Sequence, residues 1–118
     1  MTIEKVKDIL NARVLSGEEL LHNEVLSACG SDLMSDVLAF VKDQSVLLTG
    51  LLNAQVVRTA EMMDMTCIVF VRGKIPDDTI LSLASARGIV VMHTDLRMYN
   101  ACGRLYAAGL KGVEEDQQ

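Results

Sequence analysis

The amino-acid sequence predicts a single three-layer α/β domain, in which a mostly parallel sheet of about five strands carries helices on both faces. From Val46 onward, a short apolar run is followed three times by a polar or glycine turn and then by a helical pattern. The three runs span residues 46–48, 67–71 and 89–92. Each is too uniformly apolar for one face to lie in water, which is typical of strands buried on both faces of a parallel sheet.

The first part of the chain predicts two helices and two further strands. Thr2 is a candidate N-cap for a helix that ends at Asn11, and a strand over residues 13–16 is ended by Gly17. A polar connection with one helical turn then leads to a strand over residues 24–28. Gly30, Ser31 and Asp32 supply the turn and cap of a helix over about residues 33–42. Its expected inward stripe is Met34, Val37, Leu38 and Val41.

Three more helices follow the three apolar runs. Asn53 is the expected N-cap of a helix over about residues 53–63. Pro76 suits the first turn of the next helix, and Gly88 marks its end. The last helix spans about residues 96–110 and places Tyr99, Cys102, Gly103, Tyr106 and Leu110 on one face.

Composition and charge exclude several classes of partner. The 118 residues carry a formal net charge of −5, which argues against a nucleic-acid partner because phosphate neutralisation needs clustered Lys and Arg. No apolar stretch approaches the length of about 20 residues that spans a bilayer, so no membrane partner is expected. Three widely spaced cysteines favour the reducing cytoplasm over a disulfide framework. The predicted domain covers residues 1–112, and residues 113–118 are predicted to form an acidic disordered tail.

The candidate binding site lies where the predicted parallel strands end. Ligands of open α/β sheets bind outside the carboxyl ends of the strands, and turn amides with a guanidinium suit a small anionic ligand. Simpler structural roles stay open: a plain turn at Thr49 and Gly50, a solvated charge at Arg72, and an N-cap of the last helix at Thr94 or Asp95. The candidate residues are Thr49, Gly50, Asn53, Arg72, Gly73, His93, Thr94 and Asp95.

The order of elements and four short motifs resemble the DRTGG domain family over roughly residues 12–110. The motifs lie at residues 29–38, 48–50, 71–77 and 93–95. The resemblance implies an α/β module with a regulatory or dimerising role, with adenine-nucleotide sensing as one form of it, and without catalysis. The chain departs from the family in two turns. It has Val71-Arg72-Gly73 where the family has Thr-Gly-Gly, and Leu51-Leu52-Asn53 where an acidic residue followed by an arginine is common. Arg72 is the candidate replacement cation.

Other chemistries find less support in the sequence. Cys29 precedes the turn into a helix and faintly resembles a phosphocysteine loop, but Asp32 would repel a phosphoryl group there. No GxSxG nucleophile elbow occurs. His22, His93 and the cysteines match no recurring metal-ligand spacing, so neither a metal nor a cofactor is expected.

The resemblance therefore implies a non-enzymatic regulatory or dimerisation module, with adenine-nucleotide sensing as one form of that role and a partner enzyme of energy or redox metabolism as the expected target. A homodimer is expected because the last helix carries small residues on more faces than a monomer buries, with Tyr99 and Tyr106 or the Ala107-Ala108 edge at the interface. Two alternatives stay open: a phosphotransfer protein that uses Cys29, and a ligand-free scaffold or docking domain.

Overall fold

A computed structural model describes residues 1–40 and 44–112 and shows an α/β fold with a five-stranded, mostly parallel sheet. The α/β class and the mostly parallel sheet predicted from the sequence are thus confirmed. In chain order the elements are α1 (Ile3–Leu10), β1 (Arg13–Ser16), a 3-10 helix (Glu18–Leu20), β2 (Ser27–Gly30), α2 (Met34–Phe40), β3 (Ser45–Thr49), α3 (Ala54–Met62), β4 (Cys67–Phe70), α4 (Asp78–Ala86), β5 (Val90–His93) and α5 (Met98–Ala107).

The strand order is β1-β5-β4-β3-β2. Strands β2 to β5 run parallel to one another, and β1 pairs antiparallel with β5. Because β2 to β5 run in the same direction, all four end at the same side of the sheet. We call this side the carboxyl edge; it comprises the turns at residues 31–33, 50–53, 71–77 and 94–97.

Apolar side chains of the central strands alternate between two buried clusters. One cluster contains Val46, Val69 and Met92 together with buried residues of α1 and α5. The other contains residues of α2, α3 and α4 together with Leu47, Ile68, Phe70 and Val91. The alternation follows from strand geometry, in which successive side chains point to opposite faces. It explains why residues 46–48, 67–70 and 90–92 are apolar at every position.

Gly17 ends β1 for a steric reason. Its φ of +85° lies in the left-handed region, and a Cβ at this position would lie 2.9 Å from Cα of Val90. A side chain here would therefore be strained and would also collide with the backbone of β5. The glycine that the sequence marks as the strand end is needed for close packing of the chain on β5.

The second strand begins three residues later than predicted, at Ser27 instead of Glu24. Residues 24 and 25 pair with the N-terminus: Glu24 forms an isolated bridge with Thr2, and the amide of Val25 donates to the carbonyl oxygen of Met1 at 2.8 Å. Their backbone groups are thus engaged away from β3. The parallel ladder starts only where Ser27 lies opposite Ser45.

Predicted helix boundaries and faces also need correction. Leu38 is predicted to face inward but is 39% exposed, whereas Met34 and Val37 of the same helix are buried in the cluster that contains residues of α3 and α4. Pro76 precedes α4 because the side chain of Asp77 caps that helix by accepting from the amide of Ile80 at 3.0 Å. The predicted inward position of Val41 and the predicted tail at residues 113–118 lie outside the described residues.

Candidate functional site

The ends of three neighbouring strands lie in register across the carboxyl edge. Thr49, the last residue of β3, lies opposite Phe70 of β4, and Phe70 lies opposite His93 of β5. The turns that follow these strands therefore begin side by side. The sheet register brings together the three turns that carry the predicted candidate residues.

An intramolecular anion already occupies two donors of the turn after β3, Thr49 Oγ1 and the amide nitrogen of Gly50, which we call the anion cradle. Oδ1 of Asp32 accepts a hydrogen bond from Thr49 Oγ1 at 2.9 Å and another from the Gly50 amide at 2.7 Å. Asp32 lies in the turn between β2 and α2, next to β3 in the sheet. The cradle can therefore bind a negatively charged oxygen, and its present partner belongs to the chain itself.

Arg72 brings a cation to the same turn. A Cβ built on Gly50 would lie 2.5 Å from Nη2 of Arg72 and 3.2 Å from its Cζ, so the guanidinium rests directly on the glycine. Arg72 has a φ of +61°, and its amide donates to the carbonyl oxygen of Leu96 at 2.7 Å. Within residues 1–40 and 44–112 the guanidinium makes no ion pair, so its charge is available to a ligand.

Gly73 joins the β4 turn to the β5 turn. Its amide donates to the carbonyl oxygen of Thr94 at 2.8 Å, and a Cβ on Gly73 would lie 3.2 Å from Oδ1 of Asp95. The carboxylate of Asp95 is therefore next to Gly73. Six of the eight candidate residues thus form one continuous group along the carboxyl edge: Thr49, Gly50, Arg72, Gly73, Thr94 and Asp95.

Thr94 has a structural role that differs from the predicted one. It is 2% exposed; its hydroxyl donates to the carbonyl oxygen of Leu10 at 2.7 Å and accepts from the amide of Leu96 at 3.3 Å. The predicted N-cap of the last helix at Thr94 or Asp95 is wrong, because this side-chain turn delays the helix and Arg97 becomes its N-cap residue. The hydrogen bond from Thr94 to Leu10 connects the β5 turn to the end of α1.

The other two candidate residues are His93 and Asn53. Nδ1 of His93 is buried and has no hydrogen-bond partner among the described residues. Because His93 follows Val91 by two residues in β5, its side chain is on the sheet face of Val91. Asn53 is exposed and caps α3, where its Oδ1 accepts from the amide of Gln55 at 2.7 Å. The predicted capping role of Asn53 is confirmed.

Asp32 belongs to the site but is absent from the candidate ligand residues that the sequence indicated. Its position between a strand and a helix predicts a helix cap, which is the usual role of an aspartate there. Its contact with Thr49 and Gly50 joins residues 17 and 18 positions apart and depends on the pairing of β2 with β3. No local pattern in the sequence encodes that pairing.

The cysteine environments oppose nucleophilic chemistry. Burial raises the pKa of the Cys29 thiol, and the neighbouring Cys102 and Asp36 raise it further. Burial also raises the pKa values of Cys67 and Cys102. A thiol with a raised pKa carries little thiolate at neutral pH, and the thiolate is the nucleophile. Cys67 is buried, while Cys29 and Cys102 are half-buried.

Two grooves lie away from the carboxyl-edge group. One, of about 740 Å³, follows the outer face of α5 between Tyr99 and Tyr106 and includes Gly103. The other, of about 620 Å³, separates α3 from α4 and includes Arg58 and Arg87. In the part of the chain that the structure describes, no cluster of three or more His, Cys, Asp or Glu could hold a metal ion. None of the described helices is long and apolar enough to cross a membrane.

Comparison with known proteins identifies the fold. No protein-family model matches the sequence, and no curated protein matches it. The fold is similar to the crystal structure of the CBS and DRTGG domains of the regulatory region of Clostridium perfringens pyrophosphatase, complexed with the activator diadenosine tetraphosphate. The TM-score is 0.71 at 17% sequence identity, over 98% of this chain and 51% of the other.

The chain is therefore a DRTGG-like α/β module by its fold, as the sequence resemblance predicted. It spans about half the length of the pyrophosphatase region that it matches. At this identity the likeness concerns the fold, and the function of the module must be argued from its own residues.

Proposed function

We propose that this chain is a three-layer regulatory module that binds an adenine nucleotide at the carboxyl edge and acts without catalysis. The observation that carries the proposal is the guanidinium of Arg72 resting on Gly50, next to a cradle that binds an anionic oxygen. A guanidinium pairs with phosphate oxygens through two parallel hydrogen bonds. The two core clusters support the three-layer arrangement.

Exposed apolar side chains in the turns of Gly50 and Arg72 suit the base of a nucleotide. Leu52, in the turn after β3, is 41% exposed, and Ile75, in the turn after β4, is 60% exposed. Ligand sites combine apolar contact area with a few fixed polar groups, and these two turns supply both. The activator in the pyrophosphatase structure of similar fold is also an adenine nucleotide, which supports this ligand class.

The direct test is calorimetric titration of the wild-type chain with ATP and with diadenosine tetraphosphate. We expect Arg72→Ala to weaken binding by about 1.5–3 kcal/mol, the contribution of a hydrogen bond to a charged group. Arg58→Ala is the matched control, because Arg58 is also exposed but lies on α3 facing the groove with α4. Equal affinities for the wild type and Arg72→Ala would rule out this site.

The module is further proposed to work as a homodimer and to modulate a partner enzyme of energy or redox metabolism. Its exposed aromatic residues on α5 provide the surface for self-association. We place it in the cytoplasm, where cysteine thiols stay reduced, because its three cysteines are unpaired.

A ligand-free scaffold is the second candidate, and the same titration separates the two functions. If neither nucleotide binds at millimolar concentration while the chain still dimerises, the scaffold function is favoured. The raised pKa of Cys29 argues against the third candidate, a phosphotransfer protein that uses this thiol.

A further inference from the structure

We infer that Asp32 is a built-in competitor of the ligand: its carboxylate occupies the anion cradle, and a phosphate group must displace it to bind. This inference rests on the proposed function, since it concerns the same site. It makes ligand binding an exchange of one anion for another.

The geometry around Gly50 carries the inference. Oδ1 of Asp32 accepts from Thr49 Oγ1 at 2.9 Å and from the amide of Gly50 at 2.7 Å, and these are short, charge-assisted hydrogen bonds. The Gly50 amide has a single hydrogen to donate. A phosphate oxygen and the Asp32 carboxylate therefore compete for the same proton.

Electrostatic repulsion makes the competition stronger. A phosphate held by Arg72 would lie next to Gly50, which is the residue that Asp32 contacts from the other turn. Two anions at this distance repel each other, and the cradle provides donors for one of them. Displacement of Asp32 relieves that repulsion and transfers both donors to the ligand.

Displacement also gives the module a way to report that the ligand is bound. Asp32 belongs to the turn that leads into α2, a helix of seven residues with Met34 and Val37 as its buried contacts among residues 34–39. The two hydrogen bonds of Asp32 tie this turn to the end of β3. When the ligand takes over the donors, the turn loses that tie and α2 is held less firmly on the sheet.

The experiment compares ATP binding to the wild type and to Asp32→Ala by calorimetry. We expect Asp32→Ala to bind ATP about tenfold more tightly or better, which is the equivalent of one charge-assisted hydrogen bond. Asp36→Ala is the matched control: Asp36 is an exposed carboxylate in the first turn of α2, so this variant removes the same charge from the same region. We expect its affinity to stay within about twofold of the wild type.

A second readout follows α2 directly. We expect ATP to speed amide hydrogen exchange in α2 of the wild type, and Asp32→Ala to show the faster exchange without ATP. If Asp32→Ala does not fold, Asp32→Asn takes its place, because its amide oxygen can accept the same hydrogen bonds without the charge. Asp32→Asn should still bind ATP more tightly than the wild type, because the carboxylate charge is gone, but exchange in α2 without ATP should stay near the wild-type rate, because the hydrogen bonds remain.

Each outcome decides between distinct conclusions. Equal or weaker ATP binding by Asp32→Ala overturns the inference, while the proposed site stands if Arg72→Ala still weakens binding. ATP binding by Asp32→Ala alone supports the inference and shows that Asp32 closes the site in the wild type. Absence of ATP binding by every variant overturns both the inference and the proposed nucleotide site.

Discussion

The guanidinium of Arg72 lies against the Cα of Gly50 at the carboxyl edge, and glycine at residue 50 is required for the guanidinium to keep this place. Its backbone is not in the left-handed region, so conformation does not demand glycine here. A Cβ at this position would meet Nη2 of Arg72 at 2.5 Å. The requirement comes from the side chain of the neighbouring turn.

We expect Gly50→Ala to displace the Arg72 guanidinium with little loss of stability. The colliding atom is the end of a flexible, exposed side chain, which can swing away at low cost. ATP binding should weaken as in Arg72→Ala, and Gly50→Ala should have no added effect in the Arg72→Ala background. Calorimetry and thermal melting of the wild type, the two single variants and the double variant test this. Additive losses of affinity would show that the two residues act independently.

The backbone of Arg72 predicts that two substitutions of this residue differ in stability. A left-handed conformation costs a non-glycine residue about 1–2 kcal/mol, and glycine adopts it freely. Arg72→Gly should therefore be more stable than Arg72→Ala by about 1 kcal/mol, although both lack the guanidinium. Urea denaturation measures the difference. Equal midpoints for the two variants would contradict the left-handed conformation of residue 72.

Cys67 predicts a loss of stability at alkaline pH. Burial raises the pKa of its thiol, so above about pH 8.5 the unfolded chain releases a proton that the folded chain keeps. The free energy of unfolding therefore falls as the pH rises, by at most about 2 kcal/mol at pH 10 for this thiol. Urea titrations at neutral and alkaline pH should show a smaller fall for Cys67→Ala. If the free energy of unfolding of Cys67→Ala fell as much as that of the wild type, the loss of stability would come from other titrating groups.

Cys29 is expected to behave as an ordinary, slow thiol. Because its pKa is raised, iodoacetamide near neutral pH should modify it no faster than a free cysteine in a peptide, and Cys67 should stay unmodified in the folded chain. Mass spectrometry of a time course identifies the modified residues. Rapid and selective modification of Cys29 would contradict this prediction and support the phosphotransfer function.

The face of α5 predicts the oligomeric state. Tyr99 is 87% exposed and Tyr106 is 59% exposed, and both line the groove around Gly103. We expect sedimentation to show a homodimer at micromolar concentration and Tyr99→Glu to shift it towards a monomer. Met62→Glu is the control, since Met62 is equally apolar and 67% exposed on α3. A monomeric wild type would exclude the proposed dimer.

Local chemistry in the sequence determined most of the elements. Thr2 caps α1 by accepting from the amide of Lys5, and Asn53 caps α3 in the same way, as their residue types predict. The uniformly apolar runs predict strands buried on both faces, and β3 and β4 are buried along their whole length. Signals of this kind act over a few residues and can be read directly from the chain.

The details of the site came only from the tertiary structure. Asp32 meets Gly50 because β2 pairs with β3, and Arg72 meets Gly50 because β3 pairs with β4. Thr94 bonds to Leu10, which is 84 positions away in the chain. The sequence identified the turns as candidates because parallel strands end together. The contacts between particular side chains and backbone groups depend on the strand order and the register of the sheet. The packing of the whole chain decides both.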